Sequence, residues 1–183
     1  KHIFNQFCEL KSQESFTDFF NFYFTRLNRF ACTIVKSELL AEEVVLDVFL
    51  KLWTNKEKLD SIHNIETYLF ISVRNTAVDT VKKEQKFSFD MLEDSHIQLA
   101  DYKPSPEHQL IEGEMLDKLN HAVNQLPSQC KIIFKLIRED GFNRNEAAQI
   151  LNISPKTIDN QIAIAVKKIA EQLEINLSNP QHS

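Results

Sequence analysis

The chain has 183 residues, 43% of them apolar, which is enough for one ordinary domain or two small ones. It contains only two glycines, which argues against hairpin-rich all-β folds, because their tight turns need glycine, and favours helices. The formal net charge of −5 is unlike the basic composition that is typical of a domain that binds nucleic acid unaided. Either DNA is not the partner, or small basic patches contact the DNA and the affinity comes from another source.

Several function classes lack support in the sequence. Cys8, Cys32 and Cys130 are far apart and have neither CxxC nor histidine-paired spacing, so we expect reduced thiols in a cytoplasmic protein. No apolar run approaches the ~20 residues of a membrane span, and the first residues do not resemble a signal peptide, so we expect no membrane insertion. The sequence shows no paired acid and base, no phosphate-binding glycine loop and no metal-ligand spacing. We therefore expect no catalytic residue, cofactor or metal.

Residues 12–86 repeat apolar side chains at helical spacing and predict three helices. The first begins with Ser15 as its cap, and its apolar face consists of Phe16, Phe20, Tyr23, Leu27, Phe30 and Ile34. The second begins after Ser37, with an inward stripe of Ala41, Val44, Val45, Val48 and Leu52. The third begins near Asn64, with an inward stripe of Ile65, Leu69, Val73, Ala77 and Val81.

The second and third of these helices also carry distinctive polar faces. On the second, Phe49 and Trp53 lie beside acidic residues, which is typical either of a protein-docking surface or of core packing. On the third, aromatic, amide and basic side chains could stack a base and follow the phosphates of a separated strand. The alternative is a solvated face with an Asp79–Lys83 ion pair. This face consists of Tyr68, Ser72, Asn75, Asp79, Lys82 and Lys86, flanked by Arg74 and Lys83.

Helical spacing fails from Phe87 to about Glu107, where acidic residues and prolines indicate a linker. It resumes through Leu110, Met115, Leu119, Ala122 and Leu126. Pro127 marks a boundary, and Ser128 is the expected cap of a further helix that runs to Gly141 with Ile132, Ile133, Leu136 and Ile137 inward. The predicted fold is therefore all-α, with two small helical domains joined by a flexible linker.

Residues 143–169 predict two helices joined by a tight corner. Asn143 can cap a short helix over residues 144–151, Asn152 suits the left-handed conformation at its end, and Ser154-Pro155 starts the next helix. This spacing is typical of a helix-turn-helix, whose second helix enters the major groove. An ordinary helical hairpin is the alternative. The expected apolar stripe is Ile158, Ile162, Val166 and Ile169, and the expected polar face is Lys156, Thr157, Asn160 and Gln161.

Three stretches in this order resemble a bacterial sigma factor of the extracytoplasmic-function (ECF, group four) type. AEEVVLDVFLKLW resembles the helix of that family that binds core RNA polymerase, and NIETYLFISVRNTAVDTVKKEQK resembles its promoter-melting and minus-ten-reading helix. LPSQCKIIFKLIREDGFNRNEAAQILNISPKTIDNQIAIAVKKI resembles its minus-thirty-five-reading domain. The resemblance implies a region 2-like domain at 1–86, an acidic linker at 87–108, a region 4-like domain at 109–176 and a tail at 177–183.

The resemblance also implies roles for individual residues. The surface that binds the clamp coiled coil of the largest polymerase subunit would contain or rest on Glu43, Asp47, Phe49, Leu52 and Trp53. The non-template strand would meet Tyr68, Arg74, Asn75, Asp79, Lys82, Lys83 and Lys86, and the loop 54–64 would help to capture a flipped base. The minus-thirty-five duplex would meet Ser154, Lys156, Thr157, Asn160, Gln161 and Lys167.

The implied partners are core RNA polymerase, including its clamp and flap, promoter DNA, and the anti-sigma factor that commonly restrains members of this family. The sequence departs from the family at four positions: Tyr68 replaces tryptophan, Leu46 glutamine, Ala147 a larger aliphatic and Ile164 a phosphate-contacting arginine. Two other hypotheses remain open from the residues. One is a stand-alone helix-turn-helix regulator with an N-terminal sensor or dimerisation module, and the other is a helical adaptor that binds no nucleic acid.

Overall fold

The structure is a computed structural model that describes residues 2–91 and 113–173. Within these ranges it is all-α, with eight α-helices, one 3₁₀ helix and no strand, which confirms the predicted fold class. The elements are α1 (His2–Leu10), α2 (Gln13–Val35), α3 (Glu38–Thr54), the 3₁₀ helix (Lys56–Ser61), α4 (Ile65–Met91), α5 (Gly113–Asn124), α6 (Ser128–Arg138), α7 (Arg144–Leu151) and α8 (Pro155–Gln172).

The helices form two compact units, α1 to α4 and α5 to α8. Residues 92–112 and 174–183 lie outside the described residues. They include most of the expected linker, the expected tail, and both ends of the predicted second domain, with Leu110 among them. Among the helices of the described chain, none combines the length and the apolar character that a bilayer crossing requires.

Helical structure in the first unit begins earlier than the predicted pattern, which started near residue 12. Ser12, rather than Ser15, caps α2, because its hydroxyl oxygen accepts a hydrogen bond from the Ser15 backbone N–H at 3.2 Å. Ser15 is buried one turn inside the helix. The sequence also gave no prediction for α1, whose Phe4 and Phe7 are buried.

Aromatic side chains dominate the core of the first unit. Phe7 and Phe19 are fully buried, and Tyr23 is 1% exposed. All five residues predicted for the inward stripe of α3 are buried, whereas α2 buries Phe19 and Ala31 in place of the half-buried Phe16 and Phe20. Since each large apolar side chain contributes about 1.5–3 kcal/mol when it leaves water, this cluster fixes the packing of α1, α2 and α3.

α4 starts where the sequence predicted and ends later. The Asn64 side-chain oxygen accepts a hydrogen bond from the Thr67 backbone N–H at 3.1 Å, which caps the helix. The helix then continues to Met91, past the expected end of the helical pattern at residue 86. A helix that is already nucleated gains one hydrogen bond for each residue added, so loss of apolar periodicity alone does not end it.

The second unit has a core of small and medium side chains. One cluster combines Ala122, Val123 and Leu126 of the α5 segment with Cys130 of α6 and with Ala165 and Ile169 of α8. Pro127 occupies the cap position of α6 without a side-chain hydrogen bond, so the expected cap, Ser128, is instead the first helical residue. The helix ends at Arg138, and Gly141 (φ 76°) supplies the left-handed conformation that turns the chain toward α7.

Candidate nucleic-acid and polymerase interfaces

The corner between α7 and α8 is built from local hydrogen bonds. The Asn143 side-chain oxygen accepts hydrogen bonds from the N–H groups of Asn145 (2.9 Å) and Glu146 (3.0 Å). The Glu146 carboxylate in turn accepts one from the Asn143 N–H at 2.9 Å, which completes a capping box. The predicted start of α7 is therefore confirmed.

The end of α7 and the start of α8 also follow the prediction. Asn152 adopts the left-handed conformation, with φ 54° and ψ 50°, and the next N–H, from Ile153, bonds to the Ala148 carbonyl at 3.0 Å. Ser154 caps α8 through a 3.1 Å hydrogen bond from the Thr157 N–H, and Pro155 is the first helical residue. Three residues thus separate two helices, as in a helix-turn-helix.

The outward face of α8 differs in part from the predicted set. Lys156, Asn160 and Lys167 are exposed, together with Ala163 and Ile164. All five lie on the side of the helix that is opposite the buried Ile158 and Ile169. This face can enter a groove because small and polar side chains leave its leading end uncrowded.

Two predicted features of α8 are corrected. Val166, expected on the apolar stripe, is 36% exposed, and Ala165 is buried in its place because seven residues, two helical turns, separate it from Ile158. Gln161 lies beside that stripe, and its side-chain oxygen accepts a 2.8 Å hydrogen bond from the Cys130 thiol of α6. The structure therefore turns Gln161 toward the core of the unit and away from the outward face.

Two of the expected minus-thirty-five contacts also have roles within the corner. The hydroxyl groups of Ser154 and Thr157 are 2.8 Å apart, and the Ser154 oxygen accepts the capping bond described above.

Burial raises the pKa of the Cys130 thiol, so the group that bonds to Gln161 stays protonated at neutral pH.

The outward face of α4 collects most of its predicted polar residues. Tyr68 is 43% exposed, and Asn75, Asp79 and Lys82 are exposed on the side away from the buried Leu69 and Val73. Ser72 on the same face is half-buried, and Lys83 is exposed beside it. Arg74 flanks this face and donates a 2.9 Å hydrogen bond to the Asn75 side-chain oxygen. Lys86 belongs to the same helix, but its side chain lies outside the described residues.

The structure answers whether Phe49 and Trp53 dock a partner or pack in the core. Phe49 is 2% exposed and Leu52 is 3% exposed, so both support the surface from beneath and cannot form it. Trp53 is half-buried against Phe16, with ring centroids 4.8 Å apart, and against Phe7 at 6.3 Å. The acidic residues predicted beside them, Glu43 and Asp47, are exposed.

Comparison with known protein families gives two matches along the chain. Sigma-70 region 2 matches residues 19–87, and Sigma-70 region 4 matches residues 116–169. Together they cover most of the residues that the structure describes. The chain belongs to the sigma-70 family.

Relatives of known sequence agree with this assignment, and the sigma factor is of the ECF type. It is 27% identical over 140 residues to the ECF RNA polymerase sigma factor SigM of Bacillus subtilis, covering 75% of this chain and 82% of SigM. It is 24% identical over 106 residues to the RNA polymerase sigma factor FliA of Salmonella typhimurium, covering 55% of this chain but only 44% of FliA.

Two solved structures have a similar fold. The sigma factor RpoE, in complex with the anti-sigma factor NepR from Bartonella quintana, matches with a TM-score of 0.66 at 22% identity, over 89% of this chain and 99% of that one. CnrH, in complex with the cytosolic domain of CnrY, matches with a TM-score of 0.57 at 17% identity, over 95% and 96% of the two chains.

The sigma factor also has a surface that the sequence reasoning missed. Leu39, Leu46 and Leu50 of α3 are 77%, 45% and 63% exposed, on the side opposite the inward stripe. Together with Glu43 and Asp47 they form a mixed apolar and acidic surface, which we call the leucine surface. Their spacing of seven and four residues repeats the helical period, and this second apolar stripe was the available signal.

The sigma factor carries one further unpredicted contact at the corner of its second unit. Arg144, the first residue of α7, lies 3.0 Å from the carboxylate of Asp159 in α8, measured from its Nε atom. Both side chains are well exposed, so the pair adds little stability but holds the guanidinium beside the outward face. Spacing along one helix could not reveal it, because its partners lie on different helices.

Proposed function

We propose how this sigma factor carries out promoter-specific transcription initiation: α3 binds core RNA polymerase, α4 meets the separated minus-ten strand, and α8 reads the minus-thirty-five duplex. The observation that carries the proposal is the presence of two outward polar helix faces, one in each unit. One is continuous along α4, and the other leads the helix-turn-helix corner. The region 2 match covers residues 19–87, where the stand-alone regulator hypothesis required a sensor or dimerisation module, so that hypothesis is not favoured.

We assign polymerase binding to the leucine surface of α3. Exposed leucines on a rigid helix supply apolar area for an interface, and the carboxylates of Glu43 and Asp47 complement basic residues on a partner. Phe49, Leu52 and Trp53 support this surface by packing beneath or beside it. In the domain assignment that we propose, the region 2-like domain spans residues 1–86 and the region 4-like domain residues 109–176, with the linker at 87–108 between them.

The acidic net charge fits a subunit whose DNA affinity depends on polymerase. Neutralised phosphates supply most non-specific affinity, and a chain with a net charge of −5 neutralises few of them. We therefore expect weak promoter binding by the isolated chain at physiological salt and specific binding by its complex with core polymerase. We place this activity in the cytoplasm and assign the chain no catalytic centre of its own.

An anti-sigma factor is a further proposed partner. The similar fold of RpoE was solved bound to the anti-sigma factor NepR. A protein that covered the exposed leucines of α3 would compete directly with polymerase, because both would need the same apolar surface.

Reconstitution with core polymerase tests the proposal. Run-off transcription from a library of genomic upstream fragments should yield defined start sites only when the sigma factor is present. Asn75→Ala and Lys82→Ala should impair promoter opening while core-polymerase affinity stays near normal, and Asn21→Ala, at an exposed site of α2, is the matched control. The proposal fails if core polymerase does not bind the chain.

A second set of variants tests the duplex-reading helix. Asn160→Ala should relax preference at one base pair of the upstream element by about 1–3 kcal/mol, the range of one side-chain contact to a base edge. Lys156→Ala should instead weaken binding to all sequences and lower the salt dependence by about one phosphate contact. Asn124→Ala, exposed on α5, is the control. If Asn160→Ala leaves base preference unchanged at every position, α8 does not read bases through this residue.

A further inference from the structure

The segment between α3 and α4 is fastened to the N-terminal helix α1, which precedes the residues matched by Sigma-70 region 2. Phe7 of α1 is fully buried and stacks on Trp53, with ring planes 15° apart. Trp53 lies three residues before the 3₁₀ helix. The position of α1 is thus linked through one tryptophan to the start of the segment.

Lys56, the first residue of the 3₁₀ helix, adds two contacts at the same place. Its ammonium lies 3.8 Å from the centroid of the Trp53 ring, which is the geometry of a cation–π interaction. The same group donates a hydrogen bond to the Lys11 carbonyl oxygen at 3.2 Å. Lys56 is half-buried, so its charge is directed at the protein and not at solvent.

Lys11 completes the connection from the other side. It follows α1 in a left-handed conformation, with φ 46°. Its own ammonium forms an ion pair with the Glu57 carboxylate at 2.7 Å, which lowers the pKa of Glu57. Two successive residues of the 3₁₀ helix are therefore attached to Lys11, the residue that follows α1.

Two further points of the segment are anchored. Leu59 is 3% exposed, and its carbonyl accepts a hydrogen bond from the Ile62 N–H at 2.9 Å. Asn64 caps α4, the helix whose outward face we assign to the separated strand. The loop is therefore held at Leu59 and at Asn64, and a shift of the 3₁₀ helix would change its shape between these two residues.

We propose that Lys56 and Lys11 are positioning residues, which brace the loop 54–64 against α1 so that the loop holds one unpaired base of the minus-ten strand. The proposal rests on the proposed function of α4 and on the base-capturing role that the family resemblance implies for the loop 54–64. It assigns to a lysine in a DNA-facing loop a role other than phosphate binding, because its ammonium is already used by Trp53 and the Lys11 carbonyl.

Base preference and salt dependence separate these two roles. The experiment uses holoenzyme reconstituted from core polymerase and the full chain. The probes are an intact promoter DNA and a series of the same DNA, each with one abasic site at a different position of the non-template minus-ten strand. Wild type should bind the intact DNA more tightly than the DNA that lacks the captured base, and the ratio of these two affinities is the quantity measured. Lys56→Met should reduce that ratio about fivefold, the factor that one cation–π contact of ordinary strength represents.

The same variant should leave core-polymerase affinity and the salt slope of binding unchanged, whereas a lost phosphate contact would lower the slope by about one. Lys56→Arg should retain the ratio, because guanidinium also stacks on tryptophan. Lys118→Met, exposed on α5, is the control. Glu57→Gln, at an exposed site, removes only the Lys11 ion pair and should shift the ratio in the same direction, which keeps the test decisive if Lys56→Met fails to fold.

An unchanged ratio in Lys56→Met and Glu57→Gln would overturn the brace, and so would a salt slope lowered by one. If wild-type holoenzyme binds every abasic DNA as tightly as the intact DNA, the loop does not capture a base, and its implied function fails together with the brace.

Discussion

The two units of this sigma factor are held together by different means. The first packs large rings from distant parts of the chain, such as Phe7 against Phe19 (5.4 Å between centroids) and Phe30 against Phe70 (5.0 Å). The second packs small and medium aliphatic side chains, such as the fully buried Ala165 and Ile158, and fixes its corner by caps within a few residues. The first unit therefore depends on long-range contacts between rings, whereas the second combines a long-range core across α5, α6 and α8 with a corner that is set locally.

This difference matches the work that we propose for each unit. A unit that parts DNA strands must stay rigid while it holds unstacked bases, and interlocked aromatic rings resist distortion. A unit that reads duplex DNA must present one helix at a fixed angle, which the short corner and the small residues behind it achieve. The two kinds of unit should consequently fail in different ways when they are mutated.

The largest expected effect is in the aromatic core. Phe7→Ala should cost about 3–5 kcal/mol, because it removes a buried ring that contacts Phe16, Phe19 and Trp53. Trp53 is the only tryptophan in the chain, so its fluorescence reports unfolding of the first unit. In denaturant titrations of the full chain, that transition should move to lower denaturant. Phe22→Ala, at a ring that is 50% exposed, is the control. Equal shifts in both variants would contradict a core role for α1.

The helix-turn-helix should respond to added volume. Ala147→Leu inserts a larger side chain at a position that is 0% exposed and should destabilise the second unit by about 1–3 kcal/mol. Helical circular dichroism should show the loss, while Trp53 fluorescence keeps its wild-type transition. Gln149→Leu, exposed on the same helix, is the matched control. A simultaneous shift of the fluorescence transition would mean that the two units unfold together.

The same contrast explains which parts of the molecule the sequence could predict. Asn143, Asn152 and Ser154 act on their own neighbours, so the corner could be read from residue types and spacing. The packing of α1 could not, because it depends on rings of α2 and α3 that lie beyond it in the chain. Nothing within residues 2–10 records those partners.

The candidate sites divide in the same way. Helical spacing identified most of the outward face of α4, because exposure there follows from the period of a single helix. It misplaced Gln161, since the direction of that side chain depends on Cys130 of α6, and it missed the leucines of α3 because apolar residues were assumed to face inward. The contacts of Lys56 with Lys11 join residues 45 positions apart and had no signal in the pattern.

Alkaline pH should destabilise the first unit through Tyr23. Burial, with the nearby Glu66 carboxylate, raises the pKa of Tyr23 from 10.0 to about 12. The folded state therefore favours the neutral phenol, so this stabilisation is complete below pH 10 and is lost as pH rises toward 12. The loss should reach about 2 kcal/mol. Tyr23→Phe should remove this pH dependence, whereas Tyr68→Phe, at an exposed site, should retain it. Identical pH profiles in all three proteins would contradict the shift.

The smallest effect should come from a single cap. Asn143→Ala removes the acceptor for two backbone N–H groups and should cost the second unit about 1 kcal/mol. Asn145→Ala is the control, because Asn145 contributes its backbone N–H and not its side chain to the capping box. The circular dichroism transition should move only in Asn143→Ala, and Trp53 fluorescence should not change. If both variants melt like wild type, tertiary packing against α8, and not the local cap, sets the start of α7. The contrast between a locally set corner and a core held by distant rings then loses its clearest case.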